Sequence, residues 1–159
     1  MGKMKIYLDT NTVLDFFINE AKSLKKKEKL DIPSKYRFFI DKVKEIDFVT
    51  SILTKTEIVR ELISAFNLNK EDTEHLWNGF IQSLNCKYIE KYLIDERLVD
   101  VVTKYRMRLR TVVNFQHLFI TMEEDAFLLT GDKDLVDIVR ENKLYDKIIT
   151  YIELRKMFG

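Results

Sequence analysis

Two short apolar runs, Ile6-Tyr7-Leu8 and Phe127-Leu128-Leu129-Thr130, each end in carboxylates: Asp9 after the first, Asp132 and Asp134 after the second. A strand with one face in water would alternate polar and apolar residues, whereas an unbroken apolar run is what a strand covered on both faces needs. Strands covered on both faces require helices above and below, which is an α/β layer architecture. In open parallel sheets ligands bind beyond the carboxyl ends of the strands, so acids 123 positions apart, Asp9 and Asp132, are delivered to one crevice.

The remaining pattern supplies the layers. Asp9-Thr10-Asn11 offers capping side chains for a helix through Val13, Leu14, Phe16 and Phe17. Residues 21–35, with Lys22, Lys25, Lys26, Lys27, Lys29 and the only proline, Pro33, read as a Lys-rich exposed loop or insertion. Helical spacing covers 36–46, and 48–52 reads as a second strand. Thr54-Lys55-Thr56-Glu57 has the form of a capping box that opens a helix. Asn69 caps another, and an apolar pattern from Leu98 to Leu109 completes a helical middle. A core helix over 112–122 carries Asn114 and His117. After the buried strand at 127–130 come a helix over 132–142, a strand over 147–151 and a closing helix over 153–158. Strands alternating with helices at this spacing predict a three-layer α/β/α sandwich with a mostly parallel central sheet.

With 159 residues, 46% of them hydrophobic, the chain can bury a core and is the size of one ordinary domain, so a single domain over 1–159 is expected. The lone Cys86 excludes an intramolecular disulfide and a zinc site of usual composition, which makes a reducing cytoplasm the expected location. No stretch approaches the roughly 18–20 apolar residues of a membrane span, and the N-terminus reads as a strand rather than a signal peptide. The formal charge is only +1 although 33% of the residues are charged, so local clusters matter more than the total. Lys104, Arg106, Arg108 and Arg110 form one such cluster just before Asn114. Its position beside an acidic crevice suits a phosphate backbone, whereas the Lys residues of 22–29 read more simply as a solvated face.

Four segments, taken in order, resemble the motifs of PIN-domain nucleases: Lys5-Ile6-Tyr7-Leu8-Asp9-Thr10-Asn11, Thr54-Lys55-Thr56-Glu57, Asn114-Phe115-Gln116-His117-Leu118, and Leu129-Thr130-Gly131-Asp132-Lys133-Asp134. The likeness spans nearly the whole chain. In that family the third motif usually begins with Asp; here Asn114 holds the position, while His117-Leu118 and the 13-residue run from His117 to Leu129 keep the usual spacing. The resemblance implies a PIN-like sandwich acting as a Mg²⁺- or Mn²⁺-dependent endoribonuclease on RNA. Asp9 and Asp132 would be the main metal ligands, with Glu57 and Asp134 acting directly or through water. Asn114 would stand in the remaining catalytic position. Small members of the family are often dimeric toxins silenced by an antitoxin protein, so a homodimer and such a partner are implied as well.

The chemistry stands beside the family. Phosphodiester hydrolysis develops negative charge on the attacking and leaving oxygens, and a hard divalent ion held by carboxylates stabilises that charge and activates a water. An amide at 114 keeps one carbonyl oxygen but removes a full negative charge, weakening both metal affinity and water activation. Three accounts of Asn114 stay open: an attenuated enzyme, an inactive descendant used for binding, or an Asn introduced to trap a non-cleaving form. Each acid also has a simpler reading alone: Asp9 as an N-cap, Glu57 as the third position of a capping box, Asp132 and Asp134 as first-turn acids favoured by the helix dipole. Four such sites in one order outweigh those readings. His117 reads as a packed helix residue with no catalytic role, and Asp15, Asp125 and Asp137 as surface acids. A receiver-type or phosphate-transferring domain also places acids at strand ends, but the Gly-rich phosphate loop it needs is missing.

Overall fold

The computed structural model describes residues 2–91 and 96–159. β1 (Met4–Leu8) leads through Asp9 into α1 (Thr10–Lys26), followed by α2 (Ser34–Asp41), β2 (Ile46–Ser51), α3 (Ile52–Phe66) and α4 (Lys70–Ser83). The second half runs β3 (Lys87–Ile89), α5 (Glu96–Lys104), α6 (Leu109–Glu123), β4 (Phe127–Leu129), α7 (Lys133–Glu141), β5 (Ile148–Ile149) and α8 (Tyr151–Met157). All strand pairings are parallel, in the order β3-β2-β1-β4-β5. The chain order reverses between β1 and β4, where Leu8 pairs with Leu129, and that switch point is where such a sheet opens a crevice.

Consecutive strand residues point to opposite faces, and both faces are covered. Ile6, Leu8, Phe48 and Leu129 face α1, α2, α3 and α4 through Phe17, Phe39, Ile58, Leu62, Trp77 and Phe80. Tyr7, Val49, Leu128 and Ile148 face α6 and α7 through Phe115, Leu118, Leu135 and Val139. The chain is therefore the three-layer α/β/α sandwich expected from its patterning, with the sheet wholly parallel. No helix among the described residues is long and apolar enough to cross a membrane.

Several boundaries differ from the sequence reading. The connection expected over 21–35 shrinks to 27–33, because α1 runs on through Lys22, Lys25 and Lys26. Two cations in its last turn suit the negative helix end, and Lys27, at φ 55°, lets Glu28 N–H close back on Ser23 O at 3.2 Å. The helix expected over 36–46 ends at Asp41, and Ile46 already belongs to β2. The apolar pattern from Leu98 to Leu109 is divided between α5 and α6, with no Gly or Pro to mark the break. β3 is three residues long with Lys87 exposed, so no period could announce it within a stretch read as helical.

The capping box expected at Thr54 is the most consequential difference. α3 begins three residues earlier, capped by Ser51, whose hydroxyl accepts from Leu53 N–H at 3.2 Å. Thr54 is instead buried and donates to Leu8 O at 3.2 Å, tying α3 to the end of β1. The same Thr-x-x-Glu pattern does form a capping box at Thr150 and Glu153, which opens α8. Glu57 therefore sits well inside α3, and helix capping no longer explains it.

Candidate functional site

Asp9 is delivered by β1 and is 1% exposed. One carboxylate oxygen does what an N-cap should: Oδ1 accepts from Thr12 N–H at 3.0 Å and from Thr12 Oγ1 at 2.6 Å. The other, Oδ2, is buried with no hydrogen-bond partner. Capping thus accounts for half of this side chain. An unpartnered carboxylate oxygen away from water is costly and calls for a donor or a cation. The same Thr12 hydroxyl lies 3.0 Å from Leu129 O, so its one proton is shared between that carbonyl and Asp9, and the start of α1 is held at the end of β4.

Asp132 follows β4 and caps α7, its Oδ1 accepting from Leu135 N–H at 3.2 Å. Its Oδ2 accepts from Asn114 Nδ2 at 2.7 Å and from Thr111 Oγ1 at 3.2 Å, both on α6. An ionised carboxylate only accepts, so Asn114 must turn its NH₂ toward Asp132. A carboxylate at position 114 in this geometry would press two like charges together, a clash that a divalent cation relieves. The amide replaces that repulsion with a hydrogen bond.

Glu57 reaches from α3 to the first residue of α1. Its Oε1 accepts from Thr10 Oγ1 at 2.7 Å and from His117 Nε2 at 2.8 Å. Burial alone would push this carboxyl up, but the His117 and Thr10 hydrogen bonds and the nearby positive charge together hold it below the ordinary Glu value. His117 is fully buried, and its Nδ1 lies 2.7 Å from the Tyr7 hydroxyl, which in turn lies 2.6 Å from Ser51 Oγ. Burial drives the Tyr7 phenol far above its usual pKa, so it stays protonated. Nε2–H donates to the carboxylate, which can only accept, and the Tyr7 hydroxyl lies against the other ring nitrogen. A buried chain from Ser51 through Tyr7 and His117 thereby fixes Glu57.

Sequence reasoning gave His117 no role beyond packing, and it missed Tyr7, Thr10 and Thr111. A signal was present: His117 lies three residues beyond Asn114, which places both on one face of α6. A tyrosine buried between Ile6 and Leu8 needs partners for its hydroxyl, and His117 is one of the two.

Asp134 stands apart from the expected set. It is half-exposed and its Oδ2 pairs with Arg108 Nη2 at 2.5 Å. The two residues line a cavity of about 580 Å³ with Arg106, Asp137 and Glu141. Arg106 and Arg110 are exposed, whereas Arg108 spends its charge on Asp134. Among the described residues no three His, Cys, Asp or Glu side chains form a group that could hold a metal ion by themselves. Asn114 is an amide, Glu57 is engaged by His117, and Asp134 is paired with Arg108. Asp9 and Asp132 themselves, with the hydroxyls of Thr12 and Thr111, nonetheless offer oxygen atoms, and the orphaned Asp9 Oδ2 is the kind of atom a hard cation satisfies. A Mg²⁺ or Mn²⁺ ion thus fits the chemistry of the site, with fewer charged ligands than the four acids the sequence offered.

No known family profile matches this chain, and no curated protein matches it in sequence. Among solved structures, a chain of VapBC2 from Rickettsia felis, crystallised bound to a DNA fragment from their promoter, is similar with a TM-score of 0.51 at 15% identity. The match covers 92% of this chain and 97% of that one. At such an identity the likeness shows the fold alone, and it agrees with a PIN-like α/β/α sandwich.

Proposed function

We propose that this protein is a divalent-metal-dependent endoribonuclease whose activity is attenuated by Asn114. The observation that carries the reading is the buried, unpartnered Oδ2 of Asp9 at the switch point of the sheet, beside the end of the strand that delivers Asp132. When bound, Mg²⁺ or Mn²⁺ supplies charge stabilisation at the scissile phosphate and a water acidic enough to attack it. Asp9 would hold the ion through Oδ2 and Asp132 through its carboxylate, with the Asn114 carbonyl oxygen as a neutral third donor. Glu57, held by His117 and Thr10, would orient water rather than add a strong ligand. Arg106 and Arg110 would meet the RNA backbone, joined by Arg108 once it leaves Asp134. A homodimer and a small antitoxin partner belong to the same proposal, through the resemblance to small PIN-domain proteins.

A second reading has its own support, because the Asn114 amide already occupies Oδ2 of Asp132. In that reading the chain binds RNA without turnover. One experiment separates the two: cleavage of a mixed RNA panel in Mn²⁺ by the protein, its Asn114→Asp variant and an Asp9→Asn blank. Faster cutting by Asn114→Asp with a silent blank supports the nuclease. RNA binding by all forms with cutting by none replaces it with the binding module.

A further inference from the structure

Beyond the ends of β4 and β5 lies a cavity of about 290 Å³, whose lining includes Thr12, Lys35, Thr130, Gly131, Tyr151 and Ile152. Two of these residues hold the site acids: Thr12 Oγ1 donates to Asp9 Oδ1 at 2.6 Å, and Thr130 Oγ1 accepts from Asp132 N–H at 3.2 Å. The cavity and the acidic site thus share a wall. We propose that this cavity is a subsite for one unpaired base of a single-stranded RNA, next to the phosphate at the acids, with Tyr151 as the stacking surface and Lys35 as the backbone contact. The proposal deepens the nuclease reading and rests on it for the identity of the polymer.

Size, chemistry and rigidity favour this occupant. The volume lies just below the roughly 300–1,000 Å³ of small-molecule sites, which suits a single base rather than a larger ligand. Phe38 and Phe39 pack with their rings nearly perpendicular to that of Tyr151, at 5.9 and 6.2 Å between centroids, so its orientation is set before anything binds. Lys35 Nζ lies 5.9 Å from the centre of that ring and 3.9 Å from Asp15 Oδ2, whose side chain is about half exposed. An ion pair that long and that wet is weak and exchanges readily for a phosphate. Ile152, 68% exposed, supplies an apolar rim, and Arg155 Nη1, 3.5 Å from the Tyr151 hydroxyl, adds positive charge at the hydroxyl end of the ring. An aromatic surface flanked by cations is how proteins hold single strands without reading sequence. A base stacked in a duplex could not enter, so the strand must be unpaired here.

The test is fluorescence anisotropy in EDTA with 5′-labelled hexa-adenylate RNA and an abasic hexamer of the same backbone, with folding checked by emission from the single tryptophan, Trp77. The wild-type protein should bind the adenylate about tenfold more tightly than the abasic strand. Tyr151→Ala should erase that difference while leaving abasic binding unchanged, and Tyr151→Phe should keep it. Gly131→Leu should erase it too, without removing any polar group; a Cβ there meets nothing within 4 Å and the backbone is not left-handed. Equal binding of the two strands by the wild type, no binding of either, or equal weakening of both by the variants would overturn the subsite. Cutting by Asn114→Asp without a base contribution sinks the subsite and spares the nuclease. A base contribution without any cutting does the reverse.

Discussion

His117 Nε2 and Glu57 Oε1 meet at 2.8 Å although their residues are 60 positions apart, one on α6 and one on α3, so this hydrogen bond ties the two sides of the sandwich together at the site. His117→Ala would take from the Tyr7 hydroxyl one of its two partners, leaving only Ser51, and would leave Glu57 half-buried beside an empty ring-sized space. That should cost about 3 kcal/mol or more, combining lost volume with unsatisfied polar groups. Tyr7→Phe removes one hydroxyl and should cost about 1–2 kcal/mol. Urea denaturation followed by Trp77 emission measures both; equal, negligible losses would show that the chain of hydrogen bonds carries no load.

Asn114→Asp should destabilise the metal-free protein. The 2.7 Å hydrogen bond to Asp132 becomes a contact between two buried carboxylates, at a cost of about 3 kcal/mol at pH 7. Such a pair has a raised folded-state pKa, so the deficit should shrink as pH falls and the pair takes up a proton. Mn²⁺ should restore stability by about 2.7 kcal/mol at a hundred times its Kd, with a much smaller effect on the unsubstituted chain. Thermal melts with and without Mn²⁺ read the difference. A variant indifferent to Mn²⁺ would argue against any metal at this position.

Glu57 makes the site sensitive to acid. Its folded-state pKa is lowered, with burial opposing and the His117 hydrogen bond, the positive charge on that side and Thr10 prevailing. The unfolded chain therefore binds the proton first as pH drops. The stabilisation from Glu57 is complete above its unfolded value and is lost as pH falls through the lower folded value. Comparing denaturation midpoints between pH 7 and pH 3 for the protein and for Glu57→Gln should show a flatter acid limb in the variant.

Cys86 should be silent in the folded protein. It is 7% exposed, and burial pushes its thiol up to about 12, so almost no thiolate exists at neutral pH. Alkylation by iodoacetamide at pH 8 should run at least about a hundredfold slower than in urea, which makes it a clean report of unfolding. Rapid labelling under native conditions would mean that the β3 end of the core opens locally.

Asp9 and Asp132 were legible before the structure because each ends an apolar strand, and strand order alone brings two such ends together. Asn69 and the helix it opens were legible too, since capping is written in adjacent residues. Thr54 to Glu57 misled for the same reason that Thr150 to Glu153 would have informed. One local pattern fits two sites, and only the extent of the preceding strand decides which of them caps a helix. β3 escaped because a three-residue edge strand has no measurable period.

By itself the sequence determined the layers, the parallel sheet and the two acids at its switch point, since these follow from runs, periods and strand-end residues that neighbours in the chain specify. Only the tertiary structure decided what each acid faces. Asp134 turned to Arg108, Glu57 to His117, and Asp132 to the amide of Asn114, while one oxygen of Asp9 was left buried without a partner. Those pairings join residues from different elements, and a side chain's partners are set by which helices pack over which strand ends, a matter on which no local pattern bears.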